Sequence, residues 1–227
     1  MEQEKSAESF QGKKNYFKKV TTLYHDLNNG INLFTSNRVF QIDEKELMFI
    51  DFNMNIFLIY NTVSHKTDVI ECDKKLIESN VFIAAHYSRY NSELILCDHE
   101  SNIYEMLLID KKNLILKQKY KIKEAGIIEY IEIYESVDAY ACDVKLNCIH
   151  VFKKPSSSKI TEVLTKRITR AEISEPSCLK IRENFLFVIC KENNVSYILI
   201  IDKFGFNSLS LLYLIQESQY ACENIDL

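Results

Sequence analysis

Leu94–Leu107, LILCDHESNIYEML, reads as two apolar strand segments joined by the polar turn Asp98-His99-Glu100-Ser101-Asn102. Four ligand-type side chains, Cys97 to Glu100, sit side by side, so the stretch poses a choice between a metal or catalytic site and a plain hairpin turn. Strand parity separates them. Cys97 belongs to an inward-facing column, whereas His99 and Glu100 lie in the turn and face solvent, and residues on opposite faces of a strand do not converge on one ion. Asp98 is a turn former whose carboxylate is expected to accept backbone amides.

The same layout occurs three more times. ELMFIDFNMNIFLIY (Glu46–Tyr60), DAYACDVKLNCIHVF (Asp138–Phe152) and NFLFVICKENNVSYIL (Asn184–Leu199) can be laid over ELILCDHESNIYEML (Glu93–Leu107). In three copies an Asp closes the first strand and an Asn four places on opens the second: Asp51/Asn55, Asp98/Asn102 and Asp143/Asn147. The fourth copy is one residue shorter, with Lys191 and Asn194. The anchors Asp51, Asp98, Asp143 and Lys191 are spaced by 47, 45 and 48 residues, the length of a four-stranded propeller blade at about 40–50 residues. Inner strands precede two hairpins, at Val81–Tyr87 and Ile127–Tyr134. Outer strands follow all four, at Asp68–Cys72, Asn113–Tyr120, Thr161–Ile168 and Leu209–Ile215. Long 3.6-period segments are nearly missing, so the fold class is all-β.

In this layout of inner strand, gap, strand, short turn and third strand, the chain from about Val39 to Ile215 resembles a WD40-type β-propeller. The resemblance is to an architecture. No Gly-His dipeptide opens a repeat, and with no Trp in the chain no strand ends in Trp-Asp. The expected fold is a β-propeller of four to five recognisable blades, either open or completed by a partner, because WD40-type rings most often close with more blades than this chain supplies. Three closures are consistent with the length: a small ring finished by VTTLY (Val20–Tyr24), an open ring filled by a partner's strand or blade, or weak blades hidden in the first 40 residues. Residues 1–16 hold Phe10 and Tyr16 as their large apolar groups and are expected to form a disordered tail, leaving 17–227 as the propeller domain.

Composition bounds the function. The 227 residues are 47% apolar and 26% charged with net charge -4, which gives no global electrostatic case for nucleic acid or an anionic membrane. The start MEQEKSAESF lacks a basic segment followed by an apolar one. The run LSLLYLI (Leu209–Ile215) is strand-sized, well short of the roughly 20 residues that span a bilayer. Seven cysteines without a CxxC pair read as reduced thiols, which places the protein in the cytoplasm or nucleus. Cys97, Cys142 and Cys190 fall in one column of the repeats, with Ile50 in the first, and read as small packing residues between blades.

No catalytic residue, metal or cofactor is expected. The expected function is a non-enzymatic scaffold that mediates protein–protein interactions within a multi-subunit complex, with other protein subunits as partners, and one such subunit supplying a strand or blade. Partner contacts are assigned to Tyr87, Arg89, His99, Glu100, Lys145, Lys166, Arg167 and Arg170. Two alternatives stay open. One is a hydrolase with its active site at the channel mouth, which needs at least three polar side chains converging near His86 or His99. The other is RNA binding by the basic segment KKPSSSKITEVLTKRITR (Lys153–Arg170), disfavoured because no aromatic interleaves its cations. Ser156–Ser158 in that segment read as a flexible connector open to modification.

Overall fold

The computed structural model describes residues 37–53, 55–73, 76, 79–135, 138–193, 195–203 and 208–216, with the backbone alone at 37 and 208–216. Their strands form four antiparallel blades. β1 (Asn37–Gln41), β2 (Glu46–Asp51), β3 (Ile56–Asn61) and β4 (Thr67–Val69) pair in that order, and β5 (Glu71–Cys72) leaves them. The second blade is β6 (Phe82–Ser88), β7 (Glu93–Asp98), β8 (Asn102–Ile109) and β9 (Asn113–Ile122). The third is β10 (Ile128–Tyr134), β11 (Asp138–Asp143), β12 (Cys148–Lys153) and, after the short β13 (Glu162–Val163), β14 (Lys166–Thr169). β15 (Cys178–Arg182), β16 (Phe185–Glu192), β17 (Val195–Asp202) and β18 (Ser208–Gln216) make the fourth. The propeller architecture read from the repeats is therefore present, and all four repeated hairpins form in the expected place.

The inner strands stand side by side: β6 packs against β1 and β10, and β10 also packs against β15. No comparable packing joins β1 to β15 among the described residues, so the four blades form an open arc. In blades one to three the middle strands β2, β7 and β11 are buried on both faces, which is why their sequences read as continuous apolar runs, whereas β16 of the fourth blade is fully buried on one face only. In β7, Leu94 and Leu96 face the first blade with Met48, Ile50, Phe57 and Ile59. Its alternate residues Ile95 and Cys97 face the third blade with Ile131, Ala139 and Ala141. Tyr140 and Cys142 then face the fourth blade, against Leu186, Val188 and Leu199.

Three details depart from the sequence reading. The outer strand expected over Asp68–Cys72 is divided: β4 stays with its own blade, while Ile70 turns into the first core and β5 pairs in parallel with Asn113 and Leu114 of the second. Likewise Thr161–Ile168 is two strands, with β13 parallel to Lys121 and Ile122 of the second blade and β14 beside β12. Period and apolar content cannot reveal which sheet a short strand joins. The third departure is the cysteine column. Ile50, Cys97 and Cys142 each face the following blade, but Cys190 lies with Leu186 and Val188 against the preceding one. The fourth hairpin closes from Glu192 to Val195, where the third closes from Asp143 to Cys148. Its equivalent of Asp143 is thus Glu192, not Lys191, and a one-residue slip moves every side chain to the other face. Cys190 remains a buried packing residue. The expected N-terminal tail and the strand Val20–Tyr24 lie outside the described residues.

Candidate functional site

The hairpin turns carry the most organised chemistry. Asp51, Asp98 and Asp143 are all buried, as are few other charged groups among the described residues. Each binds its own turn: Asn53 N donates to Asp51 at 2.9 Å, Glu100 N to Asp98 at 2.9 Å and Leu146 N to Asp143 at 2.9 Å. The turn ends in a left-handed residue, Asn55 (φ 50°), Ser101 (φ 63°) or Asn147 (φ 49°). That residue reaches the loop leading into the next blade. Asn55 Nδ2 donates to Asn80 O at 3.0 Å, Ser101 Oγ donates to Gly126 O at 3.0 Å, and Asn147 Oδ1 accepts from Glu175 N at 2.8 Å. One turn thus latches each blade to its successor at three junctions. Asn102 is not the counterpart of Asn55 and Asn147. The second turn is a residue shorter, so Asn102 opens β8 and its Nδ2 donates to Asp98 at 2.8 Å.

In the third blade the turn aspartate gathers further groups. Asp143 Oδ2 accepts from Gly126 N at 2.6 Å and lies 3.0 Å from His150 Nε2, while Oδ1 accepts from Ile127 N at 3.2 Å. Cys148 Sγ is 3.7 Å from the same imidazole nitrogen, and His150 Nδ1 is 2.8 Å from Thr165 Oγ1. Asp143, Cys148 and His150 are all fully buried. Burial alone would raise the Asp143 pKa, but the hydrogen bonds from His150 and from three backbone amides together hold it below the usual aspartate range. Burial pushes the Cys148 thiol up to about 11.

Two ionic clusters join the blades. On the inner strands Glu132 meets His86 Nδ1 at 3.3 Å, Lys180 Nζ at 3.2 Å and Tyr130 Oη at 3.3 Å, which stitches blades two, three and four along the channel. Polar side chains do converge on His86, as the hydrolase alternative requires. The nearby nucleophile types are held protonated, however: burial and then Glu132 raise Tyr130, and burial raises Cys178. The second cluster is buried between blades two and three. Glu93 is paired with Lys154 and, at 2.9 Å, with Lys117; Glu105 accepts from Tyr120 Oη at 2.9 Å and lies 3.5 Å from Lys154. Lys117 is the extra residue of a bulge between Leu116 and Gln118, which β8 matches with adjacent residues, and it meets Glu93 from the exposed side of the cluster.

The assigned partner-contact residues are dispersed. Tyr87 is in the first core, its ring 6.5 Å from Phe40, because its strand parity turns it inward. His99, Glu100 and Lys145 are exposed at hairpin turns, and Arg89 is exposed beyond the other end of β6, near Gln41. Lys166 and Arg167 are exposed on β14 and Arg170 is half-buried. The basic segment is not a free patch: Lys154 is buried against Glu93 and Glu105, and Arg167 bonds Glu124 at 3.2 Å. The sequence reading passed over Glu93, Glu105 and Cys148, and it placed His150 within a third strand without giving it a role in a site. The available signals were a Glu at the head of an apolar strand and an i, i+2 Cys/His pair opposite a turn Asp.

The fold is shared with solved propellers. The β-propeller domain of Myceliophteria thermophila Cps50 (Swd1) superposes with a TM-score of 0.50 at 13% identity, over 78% of this chain and 57% of that one. A chain of the nidogen/laminin complex gives 0.54 at 10% identity, over 73% and 58%. This chain thus spans under three fifths of the length of either. At such identities the likeness is one of fold. No family model and no curated protein matches the sequence.

Proposed function

We propose that the protein is a non-enzymatic propeller scaffold whose fourth blade receives another protein subunit in a complex. One observation carries this reading. In blades one to three, the column of the middle strand that holds Ile50, Cys97 or Cys142 is buried against the following blade. The corresponding face of the fourth blade carries Phe185, Phe187 and Ile189 on β16 with Ile198 and Ile200 on β17, and all five are half-buried and outside the three cores. A large apolar face at the end of an arc is the kind of surface that protein partners cover. A further sheet or blade from a partner subunit fits it, since sheet-on-sheet packing is how the other junctions are made.

The test is the chain purified under native conditions, with subunit masses measured, beside the double variant Phe187→Asp, Ile198→Asp. The expected result is a stoichiometric protein partner that the variant loses while keeping its β-sheet circular dichroism. A monomer without a stoichiometric partner, or a partner held equally by the variant, overturns the proposal.

A further inference from the structure

We propose that Asp143, Cys148 and His150 form a binding site for one thiophilic divalent cation, with Zn2+ as the best match. Cys148 lies directly opposite Asp143 across the β11–β12 hairpin, and His150 is two residues along the same face of β12. Two alternate positions on one strand and the facing position on its neighbour therefore aim a thiol, an imidazole and a carboxylate at one point. The three ligand atoms lie within 4.8 Å of one another, and no other such group occurs among the described residues. The N···O separation of 3.0 Å and the S···N separation of 3.7 Å are near the edges of a tetrahedron built on metal–ligand bonds of about 2.0–2.3 Å, which are roughly 3.3–3.6 Å long.

The second blade shows that the fold does not require these side chains. At the same two positions it places Asn102 and Tyr104, whose amide and hydroxyl donate to Asp98 at 2.8 Å each. The first blade has Ile56 and Leu58 there. A turn aspartate that needs nothing but donors is served by Asn and Tyr. The third blade instead presents a thiol, a poor donor, and an imidazole, both of them metal ligands.

Charge supports the same assignment. One carboxylate, one thiolate and a neutral imidazole cancel a divalent cation, so the loaded site buries no net charge. On binding, the metal–sulfur bond replaces the Cys148 S–H bond and that proton leaves to solvent, while the imidazole proton passes from Nε2 to Nδ1, where Thr165 Oγ1 accepts it, so that Nε2 binds the cation and the ring stays neutral. Gly126, Ile127 and Leu146 keep their amides on the carboxylate. Thr165 holds the far nitrogen of the imidazole, as a partner behind a metal-bound histidine does, and so acts as a positioning residue. Three protein ligands leave the fourth tetrahedral position open.

The experiment loads the purified full chain with Zn2+, removes excess by desalting and counts bound metal by native mass measurement. Co2+ then serves as the optical probe. The expected result is one zinc per chain and a thiolate-to-cobalt charge-transfer band that Cys148→Ser abolishes and Cys178→Ser leaves intact. Thr165→Val should weaken zinc binding by about 10–100-fold with all three ligands in place. Cys148→Ser is nearly isosteric, so it keeps the test informative should His150→Gln fail to fold. A wild-type chain that emerges without zinc, or a cobalt band that survives Cys148→Ser, overturns the proposal and leaves the cluster as a hydrogen-bonded lock.

Discussion

The junction between blades two and three and the junction between blades three and four are built on different principles. At the first, backbone crosses the gap. The segment after β12 lies along β9, with Gln118 Nε2 donating to Pro155 O at 3.1 Å, Lys121 N to Thr161 O at 2.9 Å and Lys123 N to Val163 O at 3.0 Å. Beneath it, Lys154 delivers its charge to Glu93 and Glu105. At the second junction no strand of one blade pairs with the other among the described residues. The union there is an apolar core, the latch from Asn147 to Glu175, a bond from Tyr197 Oη to Glu172 O at 2.6 Å, and Lys180 on Glu132. The central pair is cross-linked, so it should open as one unit, whereas the fourth blade is held by side chains and should open first.

Breaking the buried ion cluster should have the largest effect. Lys154→Ala leaves Glu93 and Glu105 with Lys117 as their remaining cation, and stranding buried charge costs about 3–5 kcal/mol. Urea unfolding should show that loss, and a change under about 1 kcal/mol would mean that the cluster is solvated. The other junction is probed by adjacent residues on opposite faces of β17. Leu199→Ala opens a cavity in the third core and should cost about 2–5 kcal/mol. Ile198→Ala, on the outward face, should cost about 1 kcal/mol or less in the isolated chain. Hydrogen exchange should place the Leu199→Ala loosening in β15–β18 and leave β6–β9 protected; equal loosening of both would refute the difference between the junctions.

The architecture was legible because each blade repeats one hairpin, and a middle strand buried on both faces gives a continuous apolar run bounded by a turn aspartate. The four repeated hairpins followed from that period alone, as did two of the four outer strands whole and the other two in part. What could not be read was membership. Glu71, Cys72, Glu162 and Val163 are too few to carry a pattern, and their strands are defined by the neighbouring blade that pairs with them. The slip at Cys190 arose because a two-residue turn and a four-residue turn can be aligned on the wrong anchor while every residue stays apolar. The site was hidden for a related reason. Cys148 and His150 look like ordinary strand residues, and their convergence on Asp143 depends on cross-strand register, as the pairing of Glu93 with Lys154 depends on a segment from another blade.

A smaller effect tests how closely the third blade is fitted to its approach loop. A Cβ added at Gly126 would stand 2.7 Å from Asp143 Oδ1 and 2.8 Å from Lys145 Cβ. Gly126→Ala should therefore displace the loop and cost about 1–3 kcal/mol, the range for overpacking. Thermal unfolding of the variant measures it. A neutral result would mean that the 123–127 loop shifts freely, and the latch from Ser101 would then do little to join the blades.

The acid response separates the two junctions most finely. Burial would raise the Glu93 pKa, but the hydrogen bonds and charges of Lys154 and Lys117 outweigh it and hold the carboxyl below its ordinary value of 4.5. A carboxyl whose folded pKa is lowered contributes stability that is complete above the ordinary value and drains away as pH falls through the folded one. The amides of Lys121 and Lys123, which bond the crossing segment, should accordingly stay protected from neutral pH down to the ordinary carboxylate range and lose protection below it. In Glu93→Gln the same amides should be less protected at neutral pH and should show a shallower acid dependence, because the charge that Lys154 and Lys117 share is gone. Amides in the third core, such as those of β17, should respond less to this substitution, since no Glu93 contact reaches them. A wild-type profile at Lys121 and Lys123 that stays flat through the acid range would sink the claim that charge clasps the central blades, leaving the backbone pairing of β13 as what holds them.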